Sequence, residues 1–304
     1  MKRLSATAVA LALASAAAAL PADPLTQPWN CDQCSQWNEP VAAFRIYGNA
    51  YYVGVHGLAS VLIATSQGLI LIDGDLPQSA PLIEANVRSL GFQVKDIRLI
   101  LNSHDHPDHA GGIAALQRDS GAQVVASPSS AEALRLGHAV PDDPQFGYVP
   151  EAHFPPLQAP VQRLHDGEVL KLGDTALTAQ FTPGHTPGST SWTWRSCEGQ
   201  RCLNLVYADS LNAVAAPGFR FGGDGKQADT AAVLRASIGK VAALPCDIVI
   251  SVHPEQTDLW DKLAARQRGV QPDPMITPDG CKSYAEDARK RLEKRLTDER
   301  SGAG

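Results

Sequence analysis

Three histidines and two aspartates fall within six positions of this chain, in the run Asn102-Ser103-His104-Asp105-His106-Pro107-Asp108-His109-Ala110-Gly111-Gly112. Ionisable groups at this density make poor core residues, because burying them without partners costs several kcal/mol. A divalent cation removes that cost, and neutral imidazole and carboxylate are ordinary zinc ligands at about 2.0–2.2 Å. His104 and His106 sit two apart in an extended turn and can point to one side. Asp108 and His109 follow where the chain turns into a helix, and can face a second centre. A solvated histidine-rich loop is the bland alternative.

Two further histidines stand in settings built to fix a side chain. His185 lies in Thr182-Pro183-Gly184-His185-Thr186-Pro187-Gly188-Ser189, with Pro and Gly on both sides. His253 ends the apolar run Ile248-Val249-Ile250-Ser251-Val252 and precedes Pro254. Read alone, each would be a hydrogen-bonded structural histidine; beside the first cluster, ligation is the expectation. His56, His138, His153 and His165 lie in loops without such settings and are read as surface or supporting residues.

The elements that must position these groups follow from pattern. Residues 44–55, 60–65 and 68–73 read as β-structure, with Gly57 and Ser66-Gln67-Gly68 as turn signals. Residues 81–90 carry apolar side chains at helical spacing, with Gly91 as the stop. Residues 97–101 form a short apolar strand of the kind buried on both faces, so the histidine run starts at a strand's C-terminal end, where α/β sites form. Then come a helix at 110–116, a strand at 123–126 and a helix at 129–136. Strands at 168–172, 176–181, 191–194 and 203–207 precede a helix at 231–243, a strand at 247–252 and two C-terminal helices. A chain that is β-rich then helical, twice over, predicts an α/β fold with two packed sheets and helices outside, in a single domain.

At 304 residues, 44% hydrophobic and 19% charged, with a net charge of −6, the chain is ordinary globular protein. Its acidity argues against a nucleic-acid or anionic-membrane partner, which would need clustered Lys and Arg. The charge run at 287–300 alternates in sign, as on a solvated helix face. Lys2 and Arg3, the uncharged Ala/Leu/Val run at 4–20 and the break at Pro21-Ala22 predict a secretory signal peptide over residues 1–22, leaving a domain over 23–304. A membrane anchor is the weaker reading, since the run is short and Ala-rich. A periplasmic location and no membrane association after cleavage are the expectations.

Six cysteines in an exported chain read as disulfides before metal ligands. Cys197 and Cys202 flank a turn between two strand-like runs, which suits a hairpin clamp. Pairing Cys246 with Cys281 would tie the last helix to the core, worth about 3–4 kcal/mol in the chain-entropy model. Cys31 and Cys34 stand as either a local disulfide or a mobile N-terminal pair.

The pattern H-x-H-x-D-H, the later G-H-T-x-G and the strand-end histidine resemble the metallo-β-lactamase superfamily over nearly all of the chain after the leader. Trp37, the run Phe44-Arg45-Ile46-Tyr47-Gly48-Asn49-Ala50-Tyr51-Tyr52-Val53-Gly54, the segment Tyr207-Ala208-Asp209-Ser210-Leu211-Asn212 and the Cys246/Cys281 spacing are most similar to class B, subclass 3 β-lactamases. The resemblance implies an αββα four-layer sandwich with two zinc ions in a groove at one edge. It assigns His104, His106 and His185 to the first ion, and Asp108, His109 and His253 to the second. His104, His106 and Asp108 then serve hydrolysis of a small-molecule β-lactam by a metal-activated water that Asp108 orients, in a chain expected to be a monomer. Ser210 falls where the subclass holds the substrate carboxylate; Asn212 stands where Ser or Thr is commoner, which changes reach and angle. Asp105 falls at a variable position of the motif and is a candidate support for a ligating histidine. The rival is another hydrolase of the same fold, a lactonase or a glyoxalase II-type thioesterase, in which an Asp after a strand bridges both metals; Asp209 would be that residue. A non-catalytic metal-binding protein is the third reading, disfavoured by the open coordination positions of two three-ligand sites.

Overall fold

The computed structural model describes residues 23–147, 153–223 and 229–302. The expected leader, residues 1–22, lies outside them. Seven strands form one sheet in chain order: β1 (Phe44–Tyr47), β2 (Ala50–Tyr52), β3 (Val61–Thr65), β4 (Gly68–Ile72), β5 (Ile97–Leu101), β6 (Gln123–Ala126) and β7 (Val161–Arg163). The β1–β4 pairings are antiparallel and the β4–β7 pairings parallel. The second sheet runs β12 (Ile248–Ser251), β11 (Arg201–Ala208), β10 (Thr190–Glu198), β9 (Thr175–Phe181), β8 (Val169–Leu172), antiparallel except for β11 with β12. The helices are α1 (Cys34–Trp37), α2 (Ala80–Ser89), α3 (Pro107–Ala110), α4 (Ile113–Ser120), α5 (Pro128–Leu136), α6 (Thr230–Ala242), α7 (Leu259–Gln267) and α8 (Gly280–Ser301).

Alternation along the strands builds the layers. In β4, Ile70 and Ile72 face the second sheet while Leu69 and Leu71 face helices; in β11, Leu205 and Tyr207 face inward while Val206 and Ala208 face outward. The period of two is what lets one strand serve two apolar interfaces. Between the sheets lie Tyr52, Ile63, Leu101, Trp192 and Ile250, all fully or nearly fully buried. Helices α2, α4 and α5 cover the outside of the first sheet, and α6 and α8 the outside of the second. The result is the expected four-layer order: helix, sheet, sheet, helix.

Two differences from the sequence reading have local causes. The segment 44–55 is not one strand: Gly48, at φ 52°, reverses the chain between β1 and β2, and a Cβ there would collide with Ser196 Oγ. The helix expected at 110–116 is broken into α3 and α4 by Gly111-Gly112. A Cβ at Gly112 would run into the carbonyl oxygen of Gly74, and the Gly112 N–H donates to Asp75 O at 3.1 Å. The glycine pair lets the loop after β4 press against the turn that carries the histidines. Strand β7 was not anticipated; three residues after Pro160 give too short a pattern.

Candidate metal centre

The loops at one edge of both sheets carry every donor selected from the sequence. Strand β5 ends at Leu101; His104 and His106 follow in the loop, and α3 starts at Pro107, so Asp108 and His109 occupy its first turn. His185 comes from the β9–β10 loop and His253 from the segment just after β12. The turn is held from beneath by Asp73, in the left-handed region at φ 62°. Its carboxylate accepts from Ser103 N at 2.7 Å, Ser103 Oγ at 2.5 Å and, from the other sheet, Tyr207 OH at 2.8 Å. Burial pushes Asp73 up to about 6, against those donors and His109. Asp75, at φ 52° and fully buried, is pushed by burial to about 7. Strain of this kind at two non-glycine positions is a mark of a functional site.

The six donors converge as two neighbouring groups. Ligand atoms of His104, His106 and His185 lie within 4.8 Å of one another, as do those of His104, Asp108 and His109. Asp108 Oδ2 is 3.3 Å from His109 Nε2 and 3.6 Å from His253 Nε2. The rings of His104 and His109 are 4.3 Å apart at their centroids, so the two groups share a border. His104 Nε2 and both ring nitrogens of His109 are buried and make no hydrogen bond. A buried imidazole nitrogen facing others of its kind is an unpaid desolvation cost unless a cation takes it, so the residues present fit a metal.

Hydrogen bonds behind the rings set which nitrogen is free. His104 Nδ1 lies 2.7 Å from Asp209 Oδ1, His185 Nδ1 is 2.9 Å from Asn212 O, and His253 Nδ1 is 3.2 Å from Gly57 O. Each leaves Nε2 toward the centre. His106 is reversed: its Nε2 is 3.1 Å from Asp143 Oδ2, leaving Nδ1. Burial holds His104 well below its ordinary value and His185 and His253 down at about 4, so these rings are neutral donors. Burial would also lower His106, but the Asp143 carboxylate outweighs it and pushes the ring up to about 9. Burial would raise Asp108, yet His109 and His253 hold it well below the usual carboxylate range. Asp209 sits behind His104, on the side away from the free nitrogen. Asp105 is also buried, but its Oδ1 accepts from Ser130 Oγ at 3.0 Å, and it makes no hydrogen bond to a site histidine.

The centre opens on a groove of about 880 Å³, lined by His106, Asp108, His185, His253, Ser210 and Asn212 among others. Ser210 Oγ is buried and Asn212 Oδ1 has no partner, so both have capacity for a ligand. One wall is the N-terminal segment Trp29, Asn30, Cys31, Asp32 and Gln33; another is Ala139 and Gln145. The part these walls and Asp143 play in the site was not visible in the sequence, where their residues lie in loops without periodicity. No Lys or Arg lines the groove among the described residues.

His56 stacks on Trp260 with centroids 5.0 Å apart, His138 and His153 meet edge to face at 5.3 Å, and His165 is exposed. Cys197–Cys202 and Cys246–Cys281 are bonded, the first across opposed positions of β10 and β11, and Cys31–Cys34 is bonded too. No helix among the described residues is long and apolar enough to cross a membrane.

Residues 53–198 match the family model of the metallo-β-lactamase superfamily. The solved structure of the Rm3 metallo-β-lactamase is similar at 49% identity and a TM-score of 0.85, over 89% of this chain and 99% of that one. MEM-A1, a subclass B3 metallo-β-lactamase from a soil metagenome library, is similar at 49% identity and a TM-score of 0.83, over 88% of this chain and 99% of that one. Among curated proteins, the hydroxyacylglutathione hydrolase of Anaeromyxobacter dehalogenans (strain 2CP-C) is 32% identical over 212 residues, 69% of this chain but only 62% of that relative's length.

Proposed function

We propose that this chain, which belongs to the metallo-β-lactamase superfamily and has the fold of a metal-dependent hydrolase, is a zinc-dependent β-lactamase of the subclass B3 type. The observation that supports the reading is the convergence of His104, His106 and His185, and of His104, Asp108 and His109 with His253 Nε2 3.6 Å from Asp108, beside a groove that His106, Asp108, His185 and His253 line. Two zinc ions per chain would be held by these groups, and when bound they supply a water ionised near neutral pH and a Lewis acid for the lactam carbonyl. The chain's own residues do the rest. Asp108 lines the groove with its carboxylate ionised, placed to accept a hydrogen bond from the attacking water and orient it. Asp209, Asp143, Asn212 O and Gly57 O keep the four histidine rings in the tautomer each position needs. Among the described residues no Lys or Arg lines the groove, and the Ser210 hydroxyl and the Asn212 amide are there to take the lactam carboxylate. Residues 1–22 would act as a signal peptide delivering a monomer to the periplasm, where β-lactam hydrolysis confers antibiotic resistance.

The rival thioesterase reading draws on the hydroxyacylglutathione hydrolase match. It needs Asp209 as a bridging ligand, whereas Asp209 Oδ1 is engaged by His104 Nδ1. One panel separates the readings: a chromogenic cephalosporin, an acyl-homoserine lactone and an acyl-glutathione thioester, each with and without chelator, alongside metal quantification. Chelator-sensitive turnover of the cephalosporin alone is the expected result. Turnover of only the thioester or the lactone replaces the proposal, and turnover of none with metal retained leaves a binding protein.

A further inference from the structure

Of the four groups that back the site histidines, Asp143 is the carboxylate carried by the loop that presents Ala139 and Gln145 to the groove. Its side chain is fully enclosed, and its two oxygens do different work. Oδ2 faces His106 Nε2 at 3.1 Å, and Oδ1 accepts from the Gln145 backbone N–H at 2.7 Å. Around it the loop is knitted by Asp143 N to Val140 O at 3.0 Å, Phe146 N to Asp143 O at 2.9 Å, and Ala216 N to Pro144 O at 2.8 Å. The same loop presents Ala139 and Gln145 to the groove, and the Gln145 amide nitrogen lies 3.5 Å from His106 Nδ1. One carboxylate therefore fixes both the orientation of a metal-facing ring and the backbone beneath a groove residue.

We propose that Asp143 is a positioning residue that couples the groove-wall loop 138–147 to the metal centre through His106. The physical basis is mutual strengthening. Compared with the neutral ring, a cation at His106 Nδ1 polarises the imidazole and makes its Nε2–H a stronger donor to a carboxylate. Metal loading then tightens the hold of Asp143 on the ring, and the Gln145 backbone is tied to the same carboxylate. Coupling of this kind is reciprocal: whatever loosens the loop weakens the metal by the same factor. Neither His185 nor His253 has this property, because a backbone carbonyl backs each.

The inference rests on the metal-centre reading but not on the identity of the substrate. It is tested on the full chain with Zn²⁺ and Co²⁺, by competition against a chromophoric chelator and by amide hydrogen exchange. Asp143→Asn is expected to weaken one of the two metal equivalents about 10–100-fold, the range for partners behind ligating histidines, with the other unchanged. In the wild type, metal removal is expected to speed exchange across 139–147 and leave the β10–β11 hairpin around Cys197 and Cys202 unchanged. The wild-type comparison needs no variant, so it decides the matter even if Asp143→Asn does not fold. Exchange in 139–147 indifferent to metal, or a folded Asp143→Asn that binds both equivalents as tightly as wild type, overturns the coupling. A wild type that binds two metals, shows the coupling and hydrolyses no lactam would instead overturn the function proposed above.

Discussion

The two donor groups place negative charge differently. In His104/His106/His185 all three donors are imidazoles, and the charge stands one layer back, in Asp209 behind His104 and Asp143 behind His106. In Asp108/His109/His253 the carboxylate is itself a donor, while His253 is backed only by Gly57 O and His109 Nδ1 by no hydrogen bond. A carboxylate at the donor position supplies Coulomb attraction directly. One behind a ring supplies basicity and orientation. The first group is thus organised by its surroundings, and the second by its own ligand. Substitutions outside the donors should therefore injure the first more than the second.

The largest effect is expected from the donors. Asp108→Ala should remove nearly all turnover and lower the metal content after dialysis by one equivalent, and His104→Ala should do the same; full metal content with activity in either variant breaks the two-group description. Next comes Asp209→Asn, expected to weaken metal at the first group about 10–100-fold, read by chelator competition. An equal loss at both groups would erase the asymmetry. Ser210→Ala should raise KM for carboxylate-bearing lactams about 2–10-fold at little change in kcat, the worth of one hydrogen bond made in ground and transition state alike. An unchanged KM removes Ser210 from substrate binding. Gly112→Ala, which drives a Cβ into a backbone carbonyl, should cost about 1–3 kcal/mol in thermal or denaturant unfolding. A separate effect concerns pH in the metal-free chain. His106 is raised to about 9, above its unfolded value near 6.5, so the stabilisation it draws from Asp143 is full below about pH 6.5 and lost as pH rises through 9. A melting-temperature series from about pH 6 to 10 reads it, and Asp143→Asn should flatten that slope.

Much of this centre was legible because its donors are dense in sequence or framed by rigid residues. His104 to His109 form one local run, and Pro and Gly bracket His185. The strands were legible through apolar alternation, since Ile70 and Leu205 each report a face by their neighbours. What was not legible depends on contacts between distant segments. Asp143 and Gln145 carry no periodicity and gain meaning only when their loop meets His106, which is 37 residues earlier for Asp143. The break at Gly111-Gly112 was hidden because its cause, the Gly74 carbonyl, lies in another loop. Cys31–Cys34 could not be assigned until Cys34 was seen packed among Val55, Leu58 and Leu76 beneath the groove wall.

His104, His106, Asp108 and His109 hang from the seven-stranded sheet, whereas His185 and His253 hang from the five-stranded one. Cations held between them would act as rivets across the sandwich, and neither sheet could peel away without releasing them. Mass action then sets the melting point: with free zinc at about 100 times its dissociation constant, one site alone would add about 2.7 kcal/mol. In a zinc-starved compartment the same chain would be easier prey for proteases, so its abundance there would follow the supply of the ion.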